Sequence, residues 1–331
     1  MRPLRLGLIG AGKHGLRYAR HIVEDVPEAT LVALCRRDRP EGERAARAYR
    51  CAWTADFREL AADPGVDALV AAVPPGLHGA IVEAACRVGK PLLIEKPLAV
   101  SLDEARRIHA LVANHGLRCM VAHTLRFNAV IRTIRAHLEE ITPLQTVYLS
   151  QRFEPSELSW LDRRAEAGGG IVLHTGVHSF DLLRYLSGSE VAQVWAMMEG
   201  RFTRETEDTF TVMFRTRRTG IQGSVAGSRT TRGRSGLIEL AGERGQLVGD
   251  HVHGFAYLLH DRQRRELVVG PDLPTVREVL RAFVDALARG GPFPVTVEDG
   301  LRAVAVADAC YRSAARGEPV TVEAVSACSL G

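Results

Sequence analysis

A chain of 331 residues, 46% hydrophobic and 25% charged, is long enough for two ordinary globular domains. No apolar run approaches the ~18 residues of a membrane span, and the start MRPLRLGLIGAG reads as a strand entering a glycine turn rather than a secretory signal, so a cytoplasmic location is expected. The net charge of +4 comes with dispersed arginines, which argues against nucleic acid as a partner.

The six cysteines (Cys35, Cys51, Cys86, Cys119, Cys310 and Cys328) include no C-x-x-C pair. They read as reduced core residues, with neither a disulfide framework nor a cysteine metal site. Of 43 basic residues only Lys13, Lys90 and Lys96 are lysine. A coding bias towards arginine explains the rest, and a lysine that survives it points to a need for an ammonium whose pKa can be lowered.

In chain order, LRLGLIG at 4–10 is an apolar strand, followed by a helical stretch to about Val26. TLVALC is a second strand ending at Cys35. Helices are expected around 41–49, 56–62, 77–88 and 101–115, and strands at 67–73, 91–94 and 118–122. This alternation implies a parallel sheet covered on both faces. After about residue 122 the pattern changes. A helix near 129–140 precedes QTVYLSQRF, a loop and an apolar helix at 171–187. The β-rich runs VAQVWAMM, DTFTVMF, TGIQGSVAG, GLIELAG, GQLVG, AYLL and ELVV follow, with helices near 275–289 and 297–315. Phe210, Val212 and Phe214 alternate with Thr209, Thr211 and Met213, as in an antiparallel sheet with one covered face. The loop TTRGRSG at 230–236 is the expected mobile piece. Domains are expected at 1–122 and 123–331.

Gly10, Gly12, Lys13, His14 and Gly15 lie between the first strand and its helix, the context a G-x-G-x-x-G motif requires. The glycines allow a tight turn and close approach to a pyrophosphate, and the helix N-terminus supplies amide groups and a favourable dipole. An acidic residue ~20 positions on would favour NAD. Here the second strand ends in Cys35-Arg36-Arg37-Asp38. Two guanidinium groups suit a 2′-phosphate, so NADP is preferred, with Asp38 keeping NAD open.

In the 171–187 helix, at roughly 100° per residue, His178 lies about 40° and Asp181 about −20° from His174. Tyr185 is close by, and apolar residues cover most of the remaining circumference. Polar groups inside an apolar helix need partners, so this stripe either is satisfied by the fold or faces a pocket.

Three segments resemble the glucose–fructose oxidoreductase, inositol dehydrogenase and MocA (Gfo/Idh/MocA) family. They are VPPGLHGAIVEAACRVGKPLLIEKPLA at 73–99, GGGIVLHTGVHSFDLLRYL, and the terminal PVTVEDGLRAVAVADACYRSAARGEPVTV. The resemblance covers nearly the whole chain. It implies an N-terminal Rossmann domain with a doubly wound parallel sheet, and a C-terminal α/β domain whose large, open, mostly antiparallel sheet makes homodimers or homotetramers. It further implies NAD(P)-dependent oxidation or reduction of a sugar, polyol or related hydroxy/oxo compound. Lys96 matches the lysine of the family's E-K-P motif, and His178 the histidine of its D-x-G-x-H segment. Pro74, His78 and Glu95 fall in the cofactor-side segment, while Arg126 and Asn128 in HTLRFN resemble the substrate-side segment. Position 174 departs, with histidine where the family pattern has aspartate.

On this reading the polar stripe faces the cleft between the domains. Lys96 and His178 are the proton-transfer candidates. His174 binds substrate hydroxyls or modulates Lys96, and Asp181 orients the His178 ring or contacts substrate. Two alternatives stay open: a non-catalytic NAD(P)-binding regulator, and a metal-dependent hydrolase using His174, His178 and Asp181. The i, i+4 histidines suit zinc, but Thr175 leaves the H-E-x-x-H general base missing, so no metal is expected.

Overall fold

The computed structural model describes residues 2–325, so Cys328 lies outside the described residues. By contact the chain forms two compact units. One runs through Thr124 and takes in Pro274–Leu301; the other comprises Leu125–Leu273 and Arg302–Val325. The sequence reading divides the chain once, at 122/123, whereas the contacts return residues 274–301 to the first unit.

The first unit is built on six parallel strands: β1 (Leu4–Ile9), β2 (Ala29–Cys35), β3 (Ala52–Thr54), β4 (Ala68–Ala71), β5 (Leu92–Ile94) and β6 (Cys119–Val121). Their order is β3-β2-β1-β4-β5-β6, the doubly wound order with its switch point between β1 and β4. Strands β4 and β5 are apolar throughout because both faces are covered: Ala68, Leu69 and Val70 have no exposed surface. Between the strands run α1 (Gly15–Glu24), α2 (Arg39–Tyr49), α3 (Phe57–Ala62), α4 (His78–Val88) and α5 (Leu102–His115). The three-residue edge strand β3 is absent from the sequence reading, since AWT is too short to show a period.

The second unit begins with α6 (Ala129–Ala136), which ends four residues before the expected 140 and gives way to a 3-10 turn at Leu138–Glu140. Then come β7 (Leu144–Arg152), α7 (Arg164–Ala167), α8 (Val177–Ser187), β8 (Val191–Glu199), β9 (Thr209–Thr216), β10 (Gln222–Ser228), β11 (Ser235–Gly242), β12 (Gly245–Asp250), β13 (Phe255–His260) and β14 (Gln263–Glu266). The chain continues through α9 (Thr275–Arg289), α10 (Val297–Arg316) and β15 (Val320–Thr321). Nine of these strands form one sheet in the order β14-β13-β12-β11-β7-β10-β9-β8-β15. Only the β7–β10 pair is parallel, so the sheet is mostly antiparallel as expected. In β9 the expected alternation is present, with Phe210, Val212 and Phe214 buried and Thr211 and Met213 exposed. The last hairpin corrects the sequence reading. The expected strand ELVV lies mostly beyond β14, because the tight turn at Asp261 (φ 51°) pairs His260 with Gln263 and fixes the strand to QRRE.

Residues 274–301 complete the first unit. Helix α9 packs on α1, Arg118 donates to the carbonyls of Ala286 and Gly291, and Val121 N–H bonds the Val295 carbonyl. Phe283 is fully buried and stacks on Phe293 at 5.3 Å. Phe283→Ala should therefore cost about 3–5 kcal/mol. The loss should appear as an earlier unfolding transition of the first unit, followed by the fluorescence of its own tryptophan, Trp53, in a Trp160→Phe/Trp195→Phe background. An unchanged Trp53 transition would show that this return segment does not support the unit.

Candidate functional site

The glycine turn after β1 has the geometry of an anion cradle. Gly10 has φ +94°, and a Cβ there would lie 2.4 Å from the Ala72 carbonyl oxygen. A Cβ at Gly15 would meet the Gly10 carbonyl oxygen at 1.7 Å, whereas one at Gly12 would meet nothing within 4 Å. The cap of α1 at His14 makes no side-chain hydrogen bond to the helix, while the Leu16 and Arg17 N–H groups bond the Gly12 and His14 carbonyls, so an anion here would meet the glycine turn at the positive end of the helix dipole. Lys13 is exposed beside the turn. These residues fit a dinucleotide pyrophosphate.

At the end of β2, Arg36 donates from Nη1 to the Ala11 carbonyl at 2.7 Å and stands 3.5 Å from Glu41. The neighbouring Arg37 is exposed. Asp38 accepts from Glu41 N–H at 2.9 Å and caps α2, so its carboxylate serves the helix start.

After β5 the chain turns through Glu95 and Lys96, and the Lys96–Pro97 bond is cis. Glu95 is 6% exposed. Its Oε1 accepts from His14 Nε2 and from the Tyr18 hydroxyl, both at 2.7 Å, and its Oε2 accepts from Lys96 N–H at 3.1 Å. Burial alone would push this carboxyl up. The hydrogen bond and charge of His14, the charge of Lys96 and the Tyr18 hydroxyl outweigh it and hold the carboxyl at about 2. Tyr18, fully buried, escaped the sequence reading, although its position one helical turn after His14 places both on one face of α1. Lys96 is half-buried while residues 92–95 and 97–99 are buried.

Pro74 lies exposed in the turn after β4, but His78 departs from its expected place at the cofactor. Its ring is fully buried, with Nδ1 3.1 Å from the Leu98 carbonyl and Nε2 3.3 Å from that of Val73. Burial holds its imidazole below the ordinary value, against those carbonyls and the charge of Glu95. His78 ties two loops together and offers a ligand no surface.

In the second unit the 171–187 segment is not a single α-helix. Val172–Gly176 form a π turn that runs into α8. The wider turn breaks the regular advance that stacked His174 over His178. His174 is 5% exposed, its Nε2 lies 2.9 Å from the Ala167 carbonyl, and its ring meets Trp160 edge-on at 5.4 Å. It occupies a built internal position. His178 is the one half-exposed residue in the buried run 169–183.

Three further expected site residues have partners within the fold. Arg126 donates to Asp181 through Nε (2.7 Å) and Nη2 (2.5 Å) in a buried bidentate pair, with Tyr185 5.0 Å from the guanidinium. This pair joins the 124–127 turn to α8, so both residues are engaged within the fold. Asn128 accepts from Val130 N–H at 2.9 Å as the cap of α6 and donates to the His251 carbonyl, which commits both ends of its amide.

Glu207 is the residue that sequence reasoning missed here. Its Oε1 accepts from Gly170 N–H (2.9 Å), Val172 N–H (3.0 Å) and the Tyr311 hydroxyl (2.7 Å). A Cβ at Gly170 would sit 1.9 Å from the Glu207 carbonyl oxygen, which accounts for the last glycine of the GGG run. Arg229 donates to Thr175 at 2.8 Å and pins the π turn from another strand end. The only sequence signal is a polar triplet, Thr206-Glu207-Asp208, ahead of an apolar strand. Among the described residues no group of three or more His, Cys, Asp or Glu side chains could hold a metal ion, and no helix is long and apolar enough to cross a membrane.

Comparison with known proteins gives matches along the chain. A family described as an oxidoreductase family with an NAD-binding Rossmann fold matches residues 4–123, and the GFO/IDH/MocA C-terminal domain matches 133–248. The chain is 30% identical to 1,5-anhydro-D-fructose reductase of Ensifer adhaerens, over 80% of this chain and 82% of that protein. It is 27% identical to inositol 2-dehydrogenase of Rhizobium meliloti (strain 1021), over 96% and 99%. Among solved structures, levoglucosan dehydrogenase in complex with NADH and L-sorbose superposes with a TM-score of 0.90 at 24% identity, covering 98% of this chain and 100% of that one. That likeness concerns the fold.

The buried Glu95 yields a pH prediction. The folded state holds it ionised down to about pH 2, while the unfolded chain protonates it near 4.5. Its contribution is therefore present above pH 4.5 and is lost as the pH falls towards 2, a difference on the order of 3 kcal/mol. Denaturant unfolding should show Glu95→Gln clearly less stable than the parent at pH 7 and the gap narrowing at pH 3. Equal gaps at the two pH values would refute this account.

Proposed function

The chain belongs to the Gfo/Idh/MocA oxidoreductase family, and on that premise we propose that it interconverts a hydroxyl and a carbonyl on a sugar, polyol or related compound, with Lys96 and His178 as the proton-transfer groups. Relatives named for inositol, 1,5-anhydro-D-fructose and levoglucosan support the substrate class. The observation that carries the reading is the exposure pattern. Lys96 and His178 are each the single half-exposed residue in an otherwise buried run, and an ammonium and an imidazole are both side chains that carry a transferable proton.

The nicotinamide cofactor supplies the acceptor or donor of the hydride when bound. Gly10, Gly12, His14 and Gly15 would hold its pyrophosphate, with Lys13, Pro74, Glu95 and Lys96 around its path. Lys96 or His178 takes the hydroxyl proton in the oxidation direction and returns it in reduction. We assign NADP as the preferred cofactor, because Arg36 and Arg37 stand where a 2′-phosphate is read and Asp38 is occupied in capping α2. The unpaired cysteines among the described residues suit a reducing compartment such as the cytoplasm.

The outer face of the second unit's sheet supports self-association. Tyr148, Ser224, Met213 and Trp195 lie in register across four strands. Leu237 and Met197 close the adjoining row through Ser150, Ala226 and Thr211. Met197 is 68% exposed and Met213 52%, an apolar face of the kind that marks an interface. A homodimer or homotetramer through this face is proposed. Met197→Lys should shift the sedimenting species towards the monomer, and a parent chain that sediments as a monomer would remove the proposal.

Turnover is tested with polyols, sugars and ketosugars against both nicotinamide cofactors. Lys96→Ala should lower turnover about 10²–10⁴-fold, and Lys96→Arg should be nearly as poor, because a guanidinium does not release its proton. Near-normal turnover in Lys96→Arg would pass the proton role to His178. If the parent chain binds cofactor but turns over none of these compounds, the non-catalytic regulator becomes the better reading. Replacing Arg36 and Arg37 with alanine should weaken NADP much more than NAD, and equal weakening of both would overturn the cofactor assignment.

A further inference from the structure

The carboxylate next to Lys96 is held by a residue 77 positions earlier in the chain. We propose that Tyr18 is a positioning residue for Lys96, acting through Glu95; this rests on the assignment of Lys96 to proton transfer.

Glu95 is fastened at both ends. Its backbone N–H donates to the Ala71 carbonyl at 3.0 Å, and its carboxylate receives His14, Tyr18 and the Lys96 N–H. The two side-chain donors differ in kind. The His14 side chain is 45% exposed and stands at the glycine turn, so water or a bound anion can compete for its ring. Tyr18 is fully enclosed on α1, and no water competes for its hydroxyl. Its one proton has the carboxylate as acceptor at 2.7 Å. A hydrogen bond to a buried charge is stronger than a neutral one, so Tyr18 is the donor that keeps Glu95 in place when the His14 contact exchanges. The rest follows from covalent proximity. Glu95 fixes the backbone N–H of Lys96 and its charge is coupled to the Lys96 ammonium, so moving the carboxylate changes how readily that amine reacts. Histidines nearby are His14 at the cap of α1, His78 at the start of α4 and His123 after β6, and Arg17 on α1 adds a positive charge that acts on Tyr18.

The experiment combines a mutant cycle with amine labelling. Tyr18→Phe removes one oxygen and should lower kcat about tenfold, with KM and cofactor Kd changed by less than about twofold. Added to Lys96→Ala it should cause no further loss, since residues acting through one another are not additive. The labelling readout needs no turnover. Lys13, Lys90 and Lys96 are the only lysines, so limited acetylation followed by mass spectrometry reports each amine separately. Lys96 should label severalfold faster in Tyr18→Phe, while Lys90 keeps its rate. Glu95→Gln, of nearly the same shape, provides the second variant and should move Lys96 the same way. Unchanged Lys96 labelling in both variants, or an undiminished Tyr18→Phe effect in the Lys96→Ala background, would overturn the proposal. Full turnover in Lys96→Ala would instead remove the proton-transfer assignment, and the labelling would still decide whether Tyr18 acts on Lys96.

Discussion

A carboxylate with almost no access to water has to be matched by donors, because an unpaired buried charge costs several kcal/mol. Glu95 meets that requirement with one residue from its own turn and two from α1. The constraint organises the first unit. It orients the start of α1 towards the end of β5, and the same helix start carries the glycine turn. The turn itself admits no side chain at Gly15, where the Gly10 carbonyl stands too close. Anion cradle and lysine turn are thus parts of one hydrogen-bonded assembly. A substitution in α1 can therefore reach Lys96 without touching it.

The second unit uses the same device on a loop. Three acids bracket residues 200–208. Asp162 accepts from the N–H groups of Arg204, Glu205 and Thr206. Asp208 accepts from those of Arg201, Phe202 and Thr203. Glu207 points the other way and takes the N–H groups of Gly170 and Val172. Backbone amides are strong donors that must be satisfied, and a carboxylate can take several at once. The π turn that carries His174 starts from this anchor, while His178 emerges one turn later, where α8 has resumed its regular form.

The scarcity of lysine carries different weight at each of its three positions. Lys90 donates to the Asp63 carbonyl at 2.5 Å, a structural contact unrelated to proton transfer, so survival of a lysine does not by itself mark chemistry. Lys13 is exposed beside the glycine turn. Lys96 differs from both in standing next to an ionised, fully enclosed carboxylate. That neighbour, not rarity alone, is what distinguishes it.

The parallel sheet, the glycine turn and the antiparallel alternation of β9 were legible in the sequence, because period and turn chemistry are written in neighbouring residues. What the sequence did not show depended on partners far away in the chain. Asn128 and Asp181 look like free polar groups in a sequence, and only the fold shows the amides and the guanidinium that occupy them. His78 reads as a ligand-side histidine until its burial is known. The π turn was hidden because its anchor, Glu207, lies more than thirty residues downstream. Residues 274–301 belong to the first unit for the same reason: periodicity identifies α9 as a helix, but only packing decides which core it completes. Local pattern specifies what each segment becomes, whereas burial and hydrogen-bond pairing, set by tertiary structure, decide which of its polar groups remain available for chemistry.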